Sequence, residues 1–319
     1  MRNATYAPGK HLFRAVEWLI LLFLAYAATL AVVMPIPDSS RRGIFFWNAV
    51  VAAAFVGVAV FDYRRPSFAL HVPRDWLPMG FILYAFREMG LFILPDPAHR
   101  LEQIWLGWDH ALLGAGFRGA IESLGPVFPA LLEIAYSTVY IVPLLALAVL
   151  YLYNRRERAG DFGFIVLTGV LLTYAQFPFW PSQPPRLLFP GEDLPSYSSV
   201  FREFNWWILG HYSIHSSVFP SGHVAAAYAA AIGLRRALPE HEAAARWFFF
   251  GATLIAISTV YGRYHYFVDA AAGFAMALIG AALAWAIQTL PARLPGGVVA
   301  QFGREVRYGA GFTQRLWRG

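Results

Sequence analysis

Apolar runs of membrane length alternate with short polar segments along most of the chain. A helix needs about 20 apolar residues to cross the hydrocarbon core of a bilayer. We therefore expect an all-α integral membrane fold, a bundle of about eight transmembrane helices made of a six-helix core and two N-terminal helices. The predicted spans are Ala15–Val33, Ile44–Phe61, Trp76–Leu94, Ala130–Leu152, Phe162–Trp180, Ser221–Leu234, Trp247–Tyr261 and Phe267–Leu290.

Four of these runs either have an alternative interpretation or depart from a simple spanning pattern. The first is too long for a signal peptide and lacks a small-residue cleavage site, so we interpret it as a spanning helix. Arg87 and Glu88 interrupt the third run, where they either neutralise each other or face a polar interior. The sixth and seventh runs are short and need their flanking residues to cross.

The connections differ in character. The segment from Pro95 to Pro129 contains Leu101–Asp109, whose tryptophan, leucine and acidic residues favour an interfacial helix, either packed as a lid or contacting a substrate. The segment from Pro181 to Phe219 is rich in proline, serine and aromatic residues and predicts an irregular loop. Residues 291–319 predict a basic cytosolic tail. Without an internal repeat, the chain of 1–319 is expected to form one membrane domain.

Composition and charge support this interpretation. Hydrophobic residues make up 58% of the chain and charged residues 14%, against about 25% charged in a soluble domain. The net charge of +6 comes from arginines between apolar runs, which indicates orientation in a membrane and excludes nucleic acid as a partner. With the N-terminus inside, seventeen of the 25 basic residues lie inside and seven outside, so both termini are predicted to be cytosolic. Without cysteine, the chain has no disulfide and no thiolate metal site.

A set of polar residues lies at the ends of the predicted spans, where apolar residues would be expected. They belong to three separate segments, and the predicted topology brings all of them to the outer face of the membrane. The fifth span is followed by one segment, the sixth begins with another, and the third joins the seventh to the eighth. The residues are Arg186, Ser221, Gly222, His223, Arg263, His265 and Asp269.

Several of these residues suit an anion. Ser221 can cap the sixth helix and Gly222 allows close approach, while free N–H groups and the helix dipole at its start favour phosphate. Arg186 and Arg263 can each hold a phosphate through two parallel hydrogen bonds. Arg263 is expected to be the closer of the two. We predict a phosphate-binding site that contains no metal ion.

The two histidines and the aspartate suit nucleophilic chemistry. His265 and Asp269 are four residues apart and share a helix face, so the carboxylate can hold one ring nitrogen protonated while the other attacks. His223, from another helix, can act as general acid. A structural ion pair is the alternative for His265 and Asp269. A single histidine at a membrane interface is more often a polar anchor, which is our interpretation of His99, His110, His211, His215 and His241.

The sequence Pro220-Ser221-Gly222-His223, followed by His265 and Asp269, resembles the type 2 phosphatidic acid phosphatase superfamily. The resemblance covers about residues 130–290, the predicted catalytic core, and implies no cofactor. It implies that His265 forms a phosphohistidine, that Asp269 orients it and that His223 protonates the leaving group. Pro184-Pro185-Arg186 and Arg263-Tyr264-His265-Tyr266 look closest to the inositolphosphotransferase and inositol phosphorylceramide synthase branch.

The expected function is phosphoryl transfer on a lipid phosphate or phosphodiester at the extracytoplasmic face, which is that of the plasma membrane if the source is bacterial. An alcohol acceptor would make the protein a lipid phosphotransferase, the favoured interpretation. Water would make it a phosphatase of the phosphatidic acid or polyprenyl phosphate type. A lipid transporter is the remaining alternative, but it predicts polar residues along a path across the membrane. The sequence leaves the lipid, its head group and the oligomeric state open.

Overall fold

The fold was analysed in a computed structural model, which describes residues 12–94, 96, 98–214 and 219–289. The predicted tail of 291–319 lies outside the described residues. Within them the chain forms thirteen α-helices and no strand. The helices are α1 (Ala15–Val33), α2 (Asp38–Arg64), α3 (Phe68–Gly90), α4 (Arg100–Leu112), α5 (Arg118–Glu122), α6 (Val127–Thr138), α7 (Val142–Leu152), α8 (Ala159–Tyr174), α9 (Pro185–Leu188), α10 (Val200–Tyr212), α11 (Gly222–Ala237), α12 (Glu242–Tyr261) and α13 (Phe267–Thr289).

Helix α8 lies at the centre of the bundle, where α1, α3, α11 and α13 pack around it. It is apolar on every side, which is the pattern of a helix buried all round. Small residues allow the closest of these contacts. A Cβ atom added at Gly280 of α13 would lie 2.4 Å from the Cα of Gly169 in α8. Close backbone approach through glycine is typical of helix packing in membranes.

The all-α membrane architecture is confirmed, and fewer than eight of the described helices are long and apolar enough to count as spans by length and composition alone. Five of the described helices are long and apolar enough to cross a membrane, or six if the bent pair α6–α7 counts as one span. A helix does form at each of the eight predicted positions. Helix α8 is counted because 3₁₀ turns at both ends extend it to Arg156–Phe179, whereas α11 has only 16 residues and α3 contains two pairs of charged residues, so neither of these two meets the criterion.

The fourth predicted span, Ala130–Leu152, is wrong as a single helix. It is divided into α6 and α7, which meet at an angle of 76°. Pro143 lies in the first turn of α7. Because proline has no N–H, it cannot donate to the carbonyl of Val139, and a continuous helix is disfavoured at that point. The break exposes the side chains around it to a cavity described below.

The irregular loop predicted between Pro181 and Phe219 is also wrong, because it contains α9 and the 13-residue helix α10. Ser199 caps α10 by accepting a hydrogen bond from the N–H of Arg202. The buried face of α10 carries Arg202, Asn205 and Leu209, whereas its tryptophans are half exposed. Polar residues thus face inwards and aromatic residues outwards, the reverse of a soluble helix, which hid α10 from a search for apolar periodicity.

A buried ion-pair cluster joins the first three helices at one end of the bundle. It consists of Arg14, Glu17, Asp62, Arg74 and Asp75. The Arg74 guanidinium donates to Glu17 Oε2 at 2.6 Å and to Asp62 Oδ2 at 2.8 Å, and Arg14 Nη1 lies 2.5 Å from Asp75 Oδ1. Arg156, which precedes α8, lies 3.3 Å from Asp75 Oδ2 as well, so three arginines face the three carboxylates. Each buried carboxylate therefore has a counter-charge, as the interior of a membrane protein requires.

Helices α8 and α11 connect this end of the bundle to the opposite one. Arg158, which precedes α8, donates to the carbonyl of Ala237 at the end of α11 at 2.8 Å. The start of α11, at Gly222, is in contact with Tyr174 at the end of α8. The predicted site residues at the start of α11 therefore lie one helix length away from the ion-pair cluster. Of the two residues that interrupt the third run, Glu88 is buried beside Tyr84 and Arg87 is exposed.

Candidate active site

The starts of α11 and α13 meet at the end of the bundle opposite the ion-pair cluster. The backbone N–H of Ser221 donates to the carbonyl of Asp269 at 2.9 Å, which fixes the two helix starts against each other. Gly273 of α13 permits this approach, since a Cβ atom there would lie 2.4 Å from the carbonyl oxygen of Ser221. Gly222 makes room for α8 instead, because its Cβ atom would lie 2.6 Å from Cε1 of Tyr174. The Ser221 hydroxyl accepts from the N–H of Val224 at 3.3 Å and so caps α11 as predicted.

The structure brings the two predicted histidines and the aspartate into a continuous series of contacts. Nδ1 of His223 lies 3.0 Å from Nε2 of His265, and Nδ1 of His265 lies 3.4 Å from Asp269 Oδ2. The same carboxylate oxygen accepts from the N–H of Tyr266 at 2.9 Å. Asp269 is completely buried and His265 is 4% exposed. The carboxylate therefore faces one ring nitrogen of His265, while the other nitrogen faces His223.

Arg186 lies beside the histidines and faces a cavity. Its Nη1 donates to the carbonyl of Tyr264 at 3.4 Å, and its backbone N–H donates to the carbonyl of Arg263 at 3.3 Å. No carboxylate pairs with Arg186 in the part of the chain that the structure describes. Burial lowers the pKa of Arg186 from its ordinary value, because the charged form has lost water without gaining an anion. An anion in the cavity would offset that cost.

The cavity has a polar end and an apolar wall. It encloses about 960 Å³ of space free of atoms, including its open mouth. Arg186, His223 and His265 form part of the polar end, and Gly222 also lines it. The apolar wall comes mostly from α3 and from the break between α6 and α7, and includes Met79, Leu83, Phe86, Val139, Pro143 and Leu144.

Arg263, the other predicted phosphate ligand, is placed differently. Its side chain is 1% exposed and its Nη1 donates to Asp109 Oδ2 at 2.5 Å. Neither Arg263 nor Ser221 is among the described residues that line the cavity. The structure thus brings Arg186, Gly222, His223 and His265 to the cavity and holds Ser221, Arg263 and Asp269 behind it.

Sequence reasoning did not identify a second polar network behind the histidines. Glu133 of α6 accepts from the hydroxyl of Tyr264 at 2.5 Å, from Arg202 at 3.0 Å and from Asn205 at 2.8 Å. Tyr264 also stacks on Tyr136 at 4.0 Å between ring centroids. Burial and the Glu133 carboxylate raise the pKa of Tyr264, which keeps its phenol protonated as a donor. Glu133 lay inside an apolar run, which by itself marks a residue with a polar partner.

A family model agrees with this arrangement. The model described as the PAP2 superfamily matches residues 105–283, which is more than half of the chain and includes Arg186, His223, His265 and Asp269. The chain belongs to the PAP2 superfamily. Comparisons with curated proteins and with solved structures gave no significant match.

Membership of the PAP2 superfamily fixes the broad class of chemistry. The protein is a membrane-embedded enzyme of the lipid phosphate phosphatase and phosphotransferase type. The match begins at residue 105, so α1 to α3 lie outside it, although α3 supplies part of the cavity wall. The PAP2 match does not distinguish water from an alcohol as the acceptor and does not identify the lipid.

Proposed function

We propose that this PAP2 protein is a lipid phosphotransferase in which His265 is the nucleophile. The observation that carries the proposal is the line of His223, His265 and Asp269 at the polar end of an apolar cavity. Asp269 faces Nδ1 of His265 and favours the tautomer protonated there, which leaves the lone pair on Nε2 free. Hydrogen bonds of this kind are often long before a substrate binds and shorten in the reactive complex.

The reaction has two steps. In the first, Nε2 of His265 forms a bond to phosphorus while the bond from phosphorus to the leaving oxygen breaks, and His223 gives a proton to that oxygen. In the second, His223 takes the proton of the acceptor hydroxyl, whose oxygen displaces Nε2. In-line transfer needs phosphorus between nucleophile and leaving oxygen, so the 3.0 Å contact of the two rings has to open as the substrate binds.

Charge stabilisation is supplied by the surroundings of the phosphate. Arg186 is the cation that faces the cavity, and the helix start at Ser221 and Gly222 presents backbone N–H groups and the positive end of a dipole. We include Arg263 as a second cation that acts at longer range, because its guanidinium is bound to Asp109. Positioning and fixed charges account for most of the rate of phosphoryl transfer, and these residues provide both.

The substrate that fits this cavity is an amphiphile with one phosphate and a long apolar chain. The cavity wall from Met79 to Phe86 of α3 extends roughly 10 Å along the helix, at 1.5 Å per residue. Leu83 lines the cavity and is also 57% exposed, so the mouth opens between helices on the side that faces lipid. A lipid chain can therefore enter sideways while its phosphate reaches Arg186. We place this site on the extracytoplasmic side.

An alcohol acceptor is our proposal, and water is the alternative. The likeness of Pro184-Pro185-Arg186 and Arg263-Tyr264-His265-Tyr266 to the inositolphosphotransferase branch favours the alcohol. Lipid mass spectrometry of cells that express the wild type or His265→Ala distinguishes the two. A lipid that disappears in the variant indicates transfer, whereas a phosphorylated lipid that accumulates indicates hydrolysis.

The nucleophile is tested with purified protein and a lipid phosphate labelled in the phosphoryl group. The wild type should form a phosphoenzyme that is labile in acid and stable in base, and His265→Ala should form none and lose at least about 10⁴-fold in turnover. His211→Ala is the matched control, since His211 is exposed on α10 and bonds only within its own helix turn in the described structure. Full activity of His265→Ala would refute the assignment.

A further inference from the structure

Asp109 lies outside every motif of the active site, yet it contacts the loop that carries His265 twice. Its Oδ2 accepts from Arg263 Nη1 at 2.5 Å, and its Oδ1 accepts from the backbone N–H of Phe267 at 2.9 Å. The first donor is two residues before His265 and the second is two residues after it. The two oxygens of the Asp109 carboxylate therefore hold the chain on both sides of His265, the proposed nucleophile.

The helix that carries Asp109 packs directly on the histidine loop. Trp105, one turn earlier on α4, meets the Tyr266 ring edge to face at 5.6 Å and stacks on Phe219 at 5.1 Å. Asp109 itself is completely buried. Burial raises the pKa of the Asp109 carboxyl, and the Phe267 N–H and the Arg263 guanidinium oppose that effect by stabilising the carboxylate. The face of α4 thus fits the loop closely and supplies it with one buried charge.

The loop needs such a partner because its backbone is strained. Arg263 has a φ of 63°, in the left-handed region that residues other than glycine rarely adopt. A conformation of this kind persists only where the surroundings determine it. The bond from Arg263 to Asp109 and the bond from the Arg186 N–H to the Arg263 carbonyl hold it from two sides.

We propose that Asp109 is a positioning residue that fixes His265 in its reactive orientation through Arg263 and Phe267. This inference rests on the proposed role of His265 as nucleophile. Asp109 does not line the cavity in the described structure, so it acts on the nucleophile rather than on the substrate. A displacement of about 1 Å at a reacting group lowers a rate by about 100-fold, whereas the affinity for substrate depends on the cavity itself.

Asp109→Ala removes both contacts, and Asp109→Asn removes the charge while it retains an oxygen for the Phe267 N–H. We expect kcat to fall about 100-fold in Asp109→Ala and by a smaller factor in Asp109→Asn, with KM within about threefold of the wild type in both. The matched control is Glu102→Gln. Glu102 is a buried carboxylate on the same helix, two turns earlier, and its hydrogen bonds go to His99 and the Gln183 N–H. Its charge acts on Tyr266 and Asp269 only at longer range, so Glu102→Gln removes a nearby charge and leaves both bonds from Asp109 to the loop in place. It should retain kcat within about threefold.

A role confined to general stability would give a different result. In that case Asp109→Asn and Glu102→Gln would lose thermal stability to the same extent, and kcat per folded molecule would equal that of the wild type in both. A rise in KM without a fall in kcat would also contradict the positioning role, because Asp109 would then influence substrate binding. Either result overturns the proposal. If Asp109→Ala does not fold, the isosteric Asp109→Asn variant still tests the positioning role.

A measurement without turnover separates this inference from the proposed function. The imidazole ¹⁵N resonances of His265, assigned from the spectrum of His265→Ala, report its tautomer and hydrogen bonds in the resting protein. They should shift further in Asp109→Asn than in Glu102→Gln, because only the first variant changes the bonds that hold the loop. A wild type that forms no phosphoenzyme would contradict the proposed function, whereas unshifted His265 resonances in Asp109→Asn would contradict the positioning role alone.

Discussion

Two buried polar clusters lie at opposite ends of the bundle, and their charges are balanced differently. In the ion-pair cluster, Arg74 uses all three nitrogens of its guanidinium, bonding to Glu17, to Asp62 and to the carbonyl of Leu12. Asp75 is shared by Arg14, Arg156 and the hydroxyl of Tyr151. Neither cluster arginine lines the cavity that the structure describes.

The histidine site, formed by Arg186, His223, His265 and Asp269, lacks this balance. Arg186 has one long side-chain bond, to a backbone carbonyl, and no carboxylate partner among the described residues. Its histidines face each other and line the cavity. The difference teaches how to separate structural charges from functional ones in a membrane protein. Where cation and anion match, the cluster stabilises the fold, and an unmatched cation beside a cavity indicates an anionic ligand.

The strongest test of the comparison is Arg74→Met in the ion-pair cluster. The change leaves Glu17 and Asp62 buried without their cation, and removal of one partner of a buried pair costs about 3–5 kcal/mol. We expect a large fall in the midpoint of thermal unfolding in detergent, while kcat per folded molecule stays unchanged. Arg41→Met, at a partly exposed pair with Asp38, should cost only about 1 kcal/mol, although it also removes the hydrogen bond from Arg41 Nε to the carbonyl of Ala31. A loss of kcat without a loss of stability would remove the distinction between the clusters.

The matching test at the histidine site is Arg186→Ala. Because a hydrogen bond to a charged group contributes about 1.5–3 kcal/mol, KM for the lipid phosphate should rise about 10- to 100-fold. Thermal stability should hold or increase, since a desolvated cation is removed. Competitive inhibition by inorganic phosphate should weaken by the same factor.

Arg263→Ala is the control for that measurement. The variant should lose stability with a smaller rise in KM, because the guanidinium is held by Asp109. Equal rises in KM for Arg186→Ala and Arg263→Ala would mean that both arginines contact the phosphate, as the sequence predicts.

The smallest expected effect concerns the apolar wall of the cavity. Gly80 of α3 lines the cavity, and a Cβ atom there would meet no atom within 4 Å. Gly80→Phe should therefore reduce kcat/KM for a long-chain lipid phosphate by about 10-fold and leave a short-chain, water-soluble analogue nearly unaffected. Gly57→Phe is the control, since Gly57 of α2 also has open space around it and is not among the described lining residues. Equal losses with both chain lengths would exclude chain binding along α3.

Much of the active site could be predicted because its residues lie in short motifs at helix ends. Asp269 lies in the first turn of α13 and His265 lies in the loop two residues before that helix, so the two do not share a helix face as predicted, yet their separation of four residues still brings them together. Ser221 caps the start of α11, and its position is likewise set locally. The contact between His223 and His265 required only that both helix starts lie at the same end of the bundle. Alternation of apolar spans was sufficient to predict that.

The partners of Asp109 and Glu133 could not be predicted in this way. Asp109 bonds to a residue 154 positions later, and Glu133 to one 131 positions later. Such pairs depend on how the helices pack against each other, and the hydropathy of the sequence contains no information about that packing. The same limit explains α10, whose buried face is polar because Arg202 and Asn205 meet Glu133 there.

The sequence by itself determined the membrane class, the approximate helix positions and the histidine and aspartate motifs, because each depends on hydrophobicity or spacing over a few turns. Only the tertiary structure decided which arginine faces the cavity. Arg186 and Arg263 carry the same guanidinium group, and both were predicted to bind phosphate. The side chain of Arg186 lines the cavity, whereas that of Arg263 is bound to Asp109. The deciding factor is the buried carboxylate on α4, since a cation remains available to a substrate only where the fold supplies no anion of its own.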